Sequence, residues 1–318
     1  MKAKVLISGG AGYIGSILVE RLLRLTFPNA ADIDCVTVLD NFMYRQVSLS
    51  HLCANQYFDI VRGDARDYRL MKELLPKFDI FIPLAAIVGA PLCEHDRCAA
   101  LTTNYEAINV AMKEMSREQR ILVPITNSGY GNAGGEWCTE DTSLNPVSWY
   151  GRTKVWAEQA VMERGNAIAF RLATVFGMSP RMRLDLLCND FVYRAVNDRA
   201  VTLFEANFKR NFIHVRDVAS VFIHGIQNFE RMKDKVYNVG LSDANLSKRE
   251  LCLKIKEHVP DFVFNYAEYG EDPDKRDYLV SNKRIEATGF KPRFPLDDGI
   301  EELKIGYKML RNNEYANW

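Results

Sequence analysis

A cluster of glycines near the N-terminus constrains this chain more than any other feature: Gly9-Gly10-Ala11-Gly12-Tyr13-Ile14-Gly15 follows the apolar run Lys4–Ser8 and opens a helical pattern over Ile14–Leu25. Between a strand and a helix, glycine is needed where the turn is tight, where backbone must approach a ligand, and where helix and strand pack closely. The new helix leaves its first N–H groups without intrahelical partners, which makes such a loop a site for the phosphates of a dinucleotide. A glycine cluster alone can be a plain turn. Its place between strand and helix gives it the dinucleotide reading.

The rest of the first half repeats that alternation. Short runs at Cys35–Leu39, Asp59–Val61, Ile80–Leu84, Ile121–Thr126 and Ala167–Leu172 are separated by helical spacing over Tyr68–Leu75, Leu101–Met115 and Ser148–Glu163. Strands separated by helices predict right-handed βαβ units, hence an α/β fold with a doubly wound parallel sheet of the Rossmann type. After Gly177 the alternation breaks down and prolines punctuate mixed elements. Phe212–Val215 and Val236–Val239 are read as strands returning to the main sheet. The expected division is a nucleotide-binding domain from residues 1–177 and 211–242, and a smaller substrate-binding lobe from 178–210 and 243–318.

Lys plus Arg and Asp plus Glu number 41 each, so the chain carries no net charge and no basic stripe that would draw nucleic acid or an anionic membrane. Seven cysteines without a CxxC pair argue against a disulfide framework or a zinc site, and five scattered histidines give no metal-binding spacing. No metal is expected. The N-terminal apolar run is far shorter than the ~18 residues of a membrane span and reads as a strand, so a soluble cytoplasmic protein with reduced thiols is expected.

The second strand ends in Asp40-Asn41. A carboxylate there can accept the adenosine ribose hydroxyls and repels a 2′-phosphate, which favours NAD over NADP. The plain alternative is a helix-capping aspartate, since the interval from Gly15 is long; an insertion over Thr26–Asp34 accounts for that length. Asp64, after the third strand, is placed for the adenine edge. Leu84-Ala85-Ala86 ends the fourth strand with small residues that let a cofactor approach.

Tyr150 and Lys154 are four apart on a helical pattern and share one face. A phenol is a poor base at neutral pH, but a neighbouring ammonium and a nicotinamide cation favour the phenolate, so Tyr150 can exchange the proton while NAD exchanges the hydride. Tyr68 and Lys72 have the same spacing and serve as an internal control: no hydroxyl-bearing strand end precedes them. Tyr150 instead follows Thr126-Asn127-Ser128-Gly129-Tyr130-Gly131 and precedes Phe170–Gly177.

On these segments, together with Gly63-Asp64, Asn104 and the string Arg210-Asn211-Phe212-Ile213-His214-Val215-Arg216-Asp217, the chain resembles the extended short-chain dehydrogenase/reductase family of NAD-dependent nucleotide-sugar enzymes over nearly its whole length. The resemblance implies that Gly9, Gly12, Tyr13, Ile14, Gly15, Asp40, Asn41, Asp64, Ala65, Leu84, Ala85, Ala86 and Asn104 meet NAD, with Lys154 on the nicotinamide ribose. It implies Tyr150 as acid/base and Thr126 as the hydroxyl that hydrogen-bonds the reacting sugar oxygen, Ser128 being the alternative. It also implies Thr174, Arg210 and Arg276 as substrate contacts, the arginines on a diphosphate, where a planar donor fork suits the task. Surface ion pairs are the other reading of both arginines. A homodimer through the helices carrying Tyr150 and Asn104 is a further implication.

One departure is informative. Dehydratases of this family carry a carboxylate directly after the Ser/Thr, because eliminating water needs an acid and a base. Here Asn127-Ser128 stand there. The expected function is hydride transfer at C4 of a nucleotide-activated sugar without elimination, as a 4-epimerase or 4-dehydrogenase, a GDP-heptose 4-dehydrogenase being one family-level possibility. A 4,6-dehydratase and a non-catalytic NAD-binding sensor are the competing readings.

Overall fold

Seven strands build one sheet, and the reason is visible in their burial. β1 (Ala3–Ser8), β2 (Ile33–Asp40), β3 (Phe58–Arg62), β4 (Ile80–Pro83) and β5 (Arg120–Thr126) are joined by the strands Ala167–Leu172 and Lys235–Val239. Val5, Leu6 and Ile7 are all inaccessible to solvent, so neither face of β1 is free, as a parallel sheet covered by helices on both sides requires. The spatial order is 235–239, 167–172, β5, β4, β1, β2, β3, with every pairing parallel. The chain winds outward in both directions from between β1 and β4, which opens a crevice at their carboxyl ends. This computed structural model describes residues 2–25, 33–267 and 276–310. Most of the insertion at 26–34, and part of the lobe beyond 243, lie outside the described residues.

α1 (Gly15–Arg24) buries Leu18, Val19, Leu22 and Leu23 against the sheet. At roughly 1.5–3 kcal/mol for each fully buried side chain, that face holds the glycine loop in place. The helix Trp149–Arg164 is capped by Ser148, whose hydroxyl accepts from Gly151 N at 3.1 Å.

Two expectations are corrected. The strand Lys209–His214 does not return to the main sheet. It pairs in parallel with Thr174–Phe176 and antiparallel with Asn245–Ser247 in a separate three-stranded sheet. The cause is that Lys235–Val239 already occupies the place beside Ala167–Leu172, and Ala173 N closes that pairing on Val239 O at 2.9 Å before the chain bends away. The helix expected over Leu101–Met115 begins earlier, at Arg97, because Asp96 caps it by accepting from Ala99 N at 2.8 Å. It is also interrupted by a π-turn over Thr102–Glu106 before continuing through Ala107–Glu114. Among the described residues no helix is long and apolar enough to cross a membrane.

Candidate active site

A cavity of ≈ 580 Å³ opens at the carboxyl ends of the central strands, lined by the glycine loop, Asp40, Leu84–Ala86, Thr126, Tyr150 and Lys154 on one side and by Arg181, Arg183, Asp185, Asp190, Arg210, Lys248 and Arg276 on the other. Gly9 sits at φ +74°, and a side chain there would place Cβ 2.5 Å from Ala85 N, so only glycine lets the loop lie on the end of β4. The backbone N–H groups of Tyr13 and Ile14 have no hydrogen-bond partner among the described residues. The Tyr13 phenol turns away: it donates to Gly177 O at 2.6 Å and is pushed far above its ordinary pKa by burial. The first turn of α1 thus presents unpaired donors to the cavity, which fits a dinucleotide pyrophosphate.

Asp40 is buried and already heavily engaged. It accepts from Ala11 N at 3.0 Å, Phe42 N at 2.9 Å and Gln46 Nε2 at 3.2 Å. Burial nevertheless raises its pKa from the ordinary aspartate value. A carboxylate has about four lone-pair sites, so roughly one remains for a ribose hydroxyl. Asp64 lies beside it, bonded by Asn41 at 3.4 Å and by Arg66 through both carboxylate oxygens, and Arg66 holds its pKa down at about 2. Ala65, Leu84, Ala85 and Ala86 form wall between these groups.

At the other end of the cavity, Thr126 Oγ1 and Ser128 Oγ are 2.8 Å apart, the Tyr150 phenol lies against Thr126, and Arg276 donates from Nη1 to Ser128 Oγ. The four residues come from the end of β5, the turn after it, the helix Trp149–Arg164 and the approach to the strand Asp277–Val280. Burial pushes the Tyr150 phenol up to about 12, and the nearby Cys93 adds to that rise; Arg276, the Thr126 hydroxyl and Arg183 oppose it. The cations that oppose the rise are these two arginines. Lys154 itself is buried, and burial lowers its ammonium to about 8. Its Nζ makes no hydrogen bond among the described residues, and Lys154 lines the cavity.

Asn104 does not reach the cavity. The π-turn drives it fully inside, where Oδ1 accepts from Ile87 N at 2.8 Å and Nδ2 donates to Ile87 O at 2.9 Å and to Thr153 Oγ1 at 3.2 Å. It is a positioning residue for the loop after β4. Asn127 is also buried off the cavity wall, with neither amide atom hydrogen-bonded. Thr174 and Arg210 do line the cavity, and Arg210 stacks over the Tyr278 ring at 5.8 Å. Arg276 is brought to Ser128 as well as to the cavity, a placement that no local pattern indicated. The control pair lies outside: Tyr68 is 46% exposed, and Lys72 sits over its ring at 5.6 Å.

Sequence reasoning missed Arg181, Arg183, Asp185 and Cys93. Arg181 lies over the Tyr44 ring at 4.8 Å, and Arg183 pairs with Asp185, all on the cavity wall. Cys93 Sγ donates to Ile87 O at 3.2 Å behind Tyr150, and burial pushes its thiol up to about 12. The available signal was Arg181, Arg183 and Asp185 alternating with apolar residues over Arg181–Leu187.

The profile of the NAD dependent epimerase/dehydratase family matches residues 5–240. The chain is 27% identical over 305 residues to the low-salt glycan biosynthesis protein Agl12 of Haloferax volcanii, covering 93% of this chain and 96% of that one. It is 25% identical to UDP-glucuronic acid decarboxylase 1 of Arabidopsis thaliana, covering 98% and 72%. Among solved structures, the UDP-glucuronic acid 4-epimerase of Bacillus cereus in complex with UDP-glucuronic acid and NAD superposes with a TM-score of 0.83 at 22% identity, covering 97% of this chain and all of that one.

Proposed function

The chain belongs to the NAD-dependent epimerase/dehydratase family, and from that premise we propose that it transfers a hydride at C4 of a nucleotide-activated sugar without eliminating water, as a 4-epimerase or a 4-dehydrogenase. The observation that carries this reading is the company kept by Thr126. The hydrogen-bonding groups beside it are the Ser128 hydroxyl, the Tyr150 phenol and, through Ser128, the Arg276 guanidinium, with no carboxylate among them. The carboxylates on the described wall are Asp40 and Asp64 at the glycine-loop end, Asp185 held by Arg183, and Asp190 held by Arg194. None is free to act beside the reacting oxygen as the acid or base of an elimination.

Bound NAD supplies the hydride acceptor and donor. The chain's own residues then have defined tasks. Thr126 and Tyr150 meet the C4 oxygen; Tyr150 takes its proton on oxidation and returns it on reduction. Lys154, charged below about pH 8, holds the nicotinamide ribose and favours the phenolate once that ribose is in place. Arg210 and Arg276 suit the substrate diphosphate, and the described parts of 178–210 and 243–318 are assigned to the lobe that receives the nucleotide.

A homodimer through the helix Trp149–Arg164, which carries Tyr150, and the interrupted helix that carries Asn104 belongs to the same reading. Its support is an aromatic cluster in which Trp156, 36% exposed, meets Tyr105 and Trp149 edge-on at 6.0 and 5.6 Å. A cytoplasmic location goes with it.

The test is product analysis by mass spectrometry and proton NMR over a panel of nucleotide sugars with the NAD-loaded protein. A product of equal mass inverted at C4, or one lighter by two hydrogens, is expected. A main product lacking one water would overturn the reading in favour of a 4,6-dehydratase, and one lacking carbon dioxide in favour of a decarboxylase.

A further inference from the structure

The cavity wall between Gly177 and the helix Leu187–Asn197 carries a charged pair that neither a dinucleotide nor a diphosphate explains. Arg183 donates to Asp185 through two N–H groups, Nε to Oδ1 at 3.1 Å and Nη2 to Oδ2, and both side chains are more than nine-tenths buried at 9% and 4% exposure. The pair is fixed from behind. Asn189 donates to the Arg183 carbonyl at 2.9 Å and to the Tyr13 phenol oxygen at 3.1 Å, and accepts from Gly177 N at 3.0 Å. Both residues line the same cavity as Thr126, Tyr150 and Lys154, and the Arg183 charge is felt at the Tyr150 phenol. Its remaining terminal nitrogen, Nη1, makes no hydrogen bond among the described residues.

A buried ion pair contributes little net stability, because desolvating two charges offsets most of their attraction. An open donor on such a pair therefore points to recognition. The chemistry of the ligand follows from the pair being a pair. An isolated guanidinium would draw any phosphate or carboxylate, but here a second anion would have to approach the Asp185 carboxylate as well. A hydroxyl has no such conflict: it accepts from Nη1 and donates to the carboxylate. Phosphates have other hosts, in the first turn of α1 and in Arg210 and Arg276.

We propose that the Arg183–Asp185 pair reads hydroxyl groups on the sugar held beside Tyr150, and so selects a neutral, hydroxyl-bearing sugar over a uronate. This rests on the reading that a nucleotide sugar occupies the cavity, and it names the class of that sugar. The chain is thereby set apart in substrate from proteins of its fold whose sugar carries a carboxylate.

The test uses the full chain loaded with NAD and two pairs of probes, UDP-glucose against UDP-glucuronate and GDP-mannose against GDP-mannuronate, with affinity measured by calorimetry. The wild type is expected to prefer the neutral member of the pair it binds by about tenfold or more, the scale of one lost hydrogen bond to a charged group. Asp185→Asn, which removes the negative charge and keeps the shape, is expected to shift that ratio at least about tenfold toward the uronate. The double variant Arg183→Met with Asp185→Leu replaces the pair by apolar groups of similar size, so it leaves no orphan charge and keeps its fold. It is expected to lose affinity for the neutral sugar while NAD and free UDP or GDP bind as before. A drop in NAD affinity would reassign the pair to the dinucleotide, a drop in free UDP or GDP affinity would reassign it to the nucleotide, and an unchanged sugar ratio would leave it without a role in recognition; each overturns the proposal. Failure of the wild type to bind any of the four sugars would instead remove the nucleotide-sugar reading itself, and the proposal with it.

Discussion

Thr126 Oγ1 and Ser128 Oγ lie 2.8 Å apart, and the pair is held from two sides, by the Tyr150 phenol at Thr126 and by the Arg276 guanidinium at Ser128. The order Tyr150, Thr126, Ser128, Arg276 ranks the hydroxyls: Thr126 touches the acid/base, whereas Ser128 reaches it only through Thr126. Thr126→Ala is therefore expected to lower turnover by ~10²-fold or more, the scale of a lost acid/base partner, and Ser128→Ala by about tenfold. Steady-state kinetics on the best substrate decides. A larger loss at Ser128 would show that it, not Thr126, meets the reacting oxygen.

Tyr150→Phe is expected to lower turnover by ~10²- to 10⁴-fold with NAD affinity unchanged, since the hydroxyl does proton work and little binding. Tyr68→Phe, on an exposed ring stacked by Lys72, should leave turnover within a factor of about two. Comparable losses in the two variants would discredit the choice of tyrosine.

These residues were legible because their chemistry is written locally. The glycine loop sits between a strand and a helix, and Tyr150 and Lys154 share a helix face four residues apart, so spacing alone brings them together. The sheet of Lys209–His214 was not legible, because which edge an apolar strand joins depends on whether a distant strand, here Lys235–Val239, already fills it. Asn104 lies off the cavity wall for another reason: it falls in a π-turn, and nothing in Thr102–Glu106 announces one. Arg183 and Asp185 went unnoticed because their meaning comes from the cavity they share with Thr126 and Tyr150, more than thirty residues distant in the chain.

Asp40 is engaged by Ala11, Phe42 and Gln46 and has little accepting capacity left. Asp40→Asn keeps the shape but loses the charge, and a charge-assisted hydrogen bond contributes about 1.5–3 kcal/mol, so NAD affinity should fall by roughly 10- to 100-fold. NADP, which the carboxylate repels, should lose less or gain. Fluorescence titration of both dinucleotides checks this. Unchanged NAD affinity would reduce Asp40 to a residue that shapes the glycine loop.

Lys154 sets a pH dependence whose sign can be worked out. Its folded pKa, about 8, lies below the ~10.4 of an unfolded lysine, so between those values the unfolded chain binds more protons and stability rises with pH. Below about pH 8 the NAD-free protein carries the whole cost of burying the ammonium, on the order of 3 kcal/mol. Lys154→Met removes that cost, so the variant should be the more stable at neutral pH and its advantage should shrink as pH rises toward about 10. Its turnover should collapse. Urea denaturation of both proteins across that range provides the comparison, and parallel stability profiles would mean that Lys154 is not desolvated as its burial indicates.

The position where dehydratases place a carboxylate offers the sharpest test of the non-eliminating reading. Asn127 is 1% exposed, lies off the cavity wall, and has neither amide atom hydrogen-bonded. An aspartate there would not face a substrate; it would be a buried carboxyl with no described partner. Such a group takes a raised pKa, so the folded protein keeps a proton that the unfolded chain releases above pH ~4, and stability falls as pH rises from there. Asn127→Asp is therefore expected to fold near wild-type stability at acid pH, to melt on the order of 5–10 °C lower at neutral pH, as an uncompensated buried charge costs several kcal/mol, and to eliminate no water from any substrate. Melting curves across pH, with mass spectrometry of the products, give both readouts. A variant of undiminished stability that releases a dehydrated 4-keto sugar would show that residue 127 reaches the reacting carbons, and that the single amide in place of a carboxylate is all that separates this site from a dehydratase.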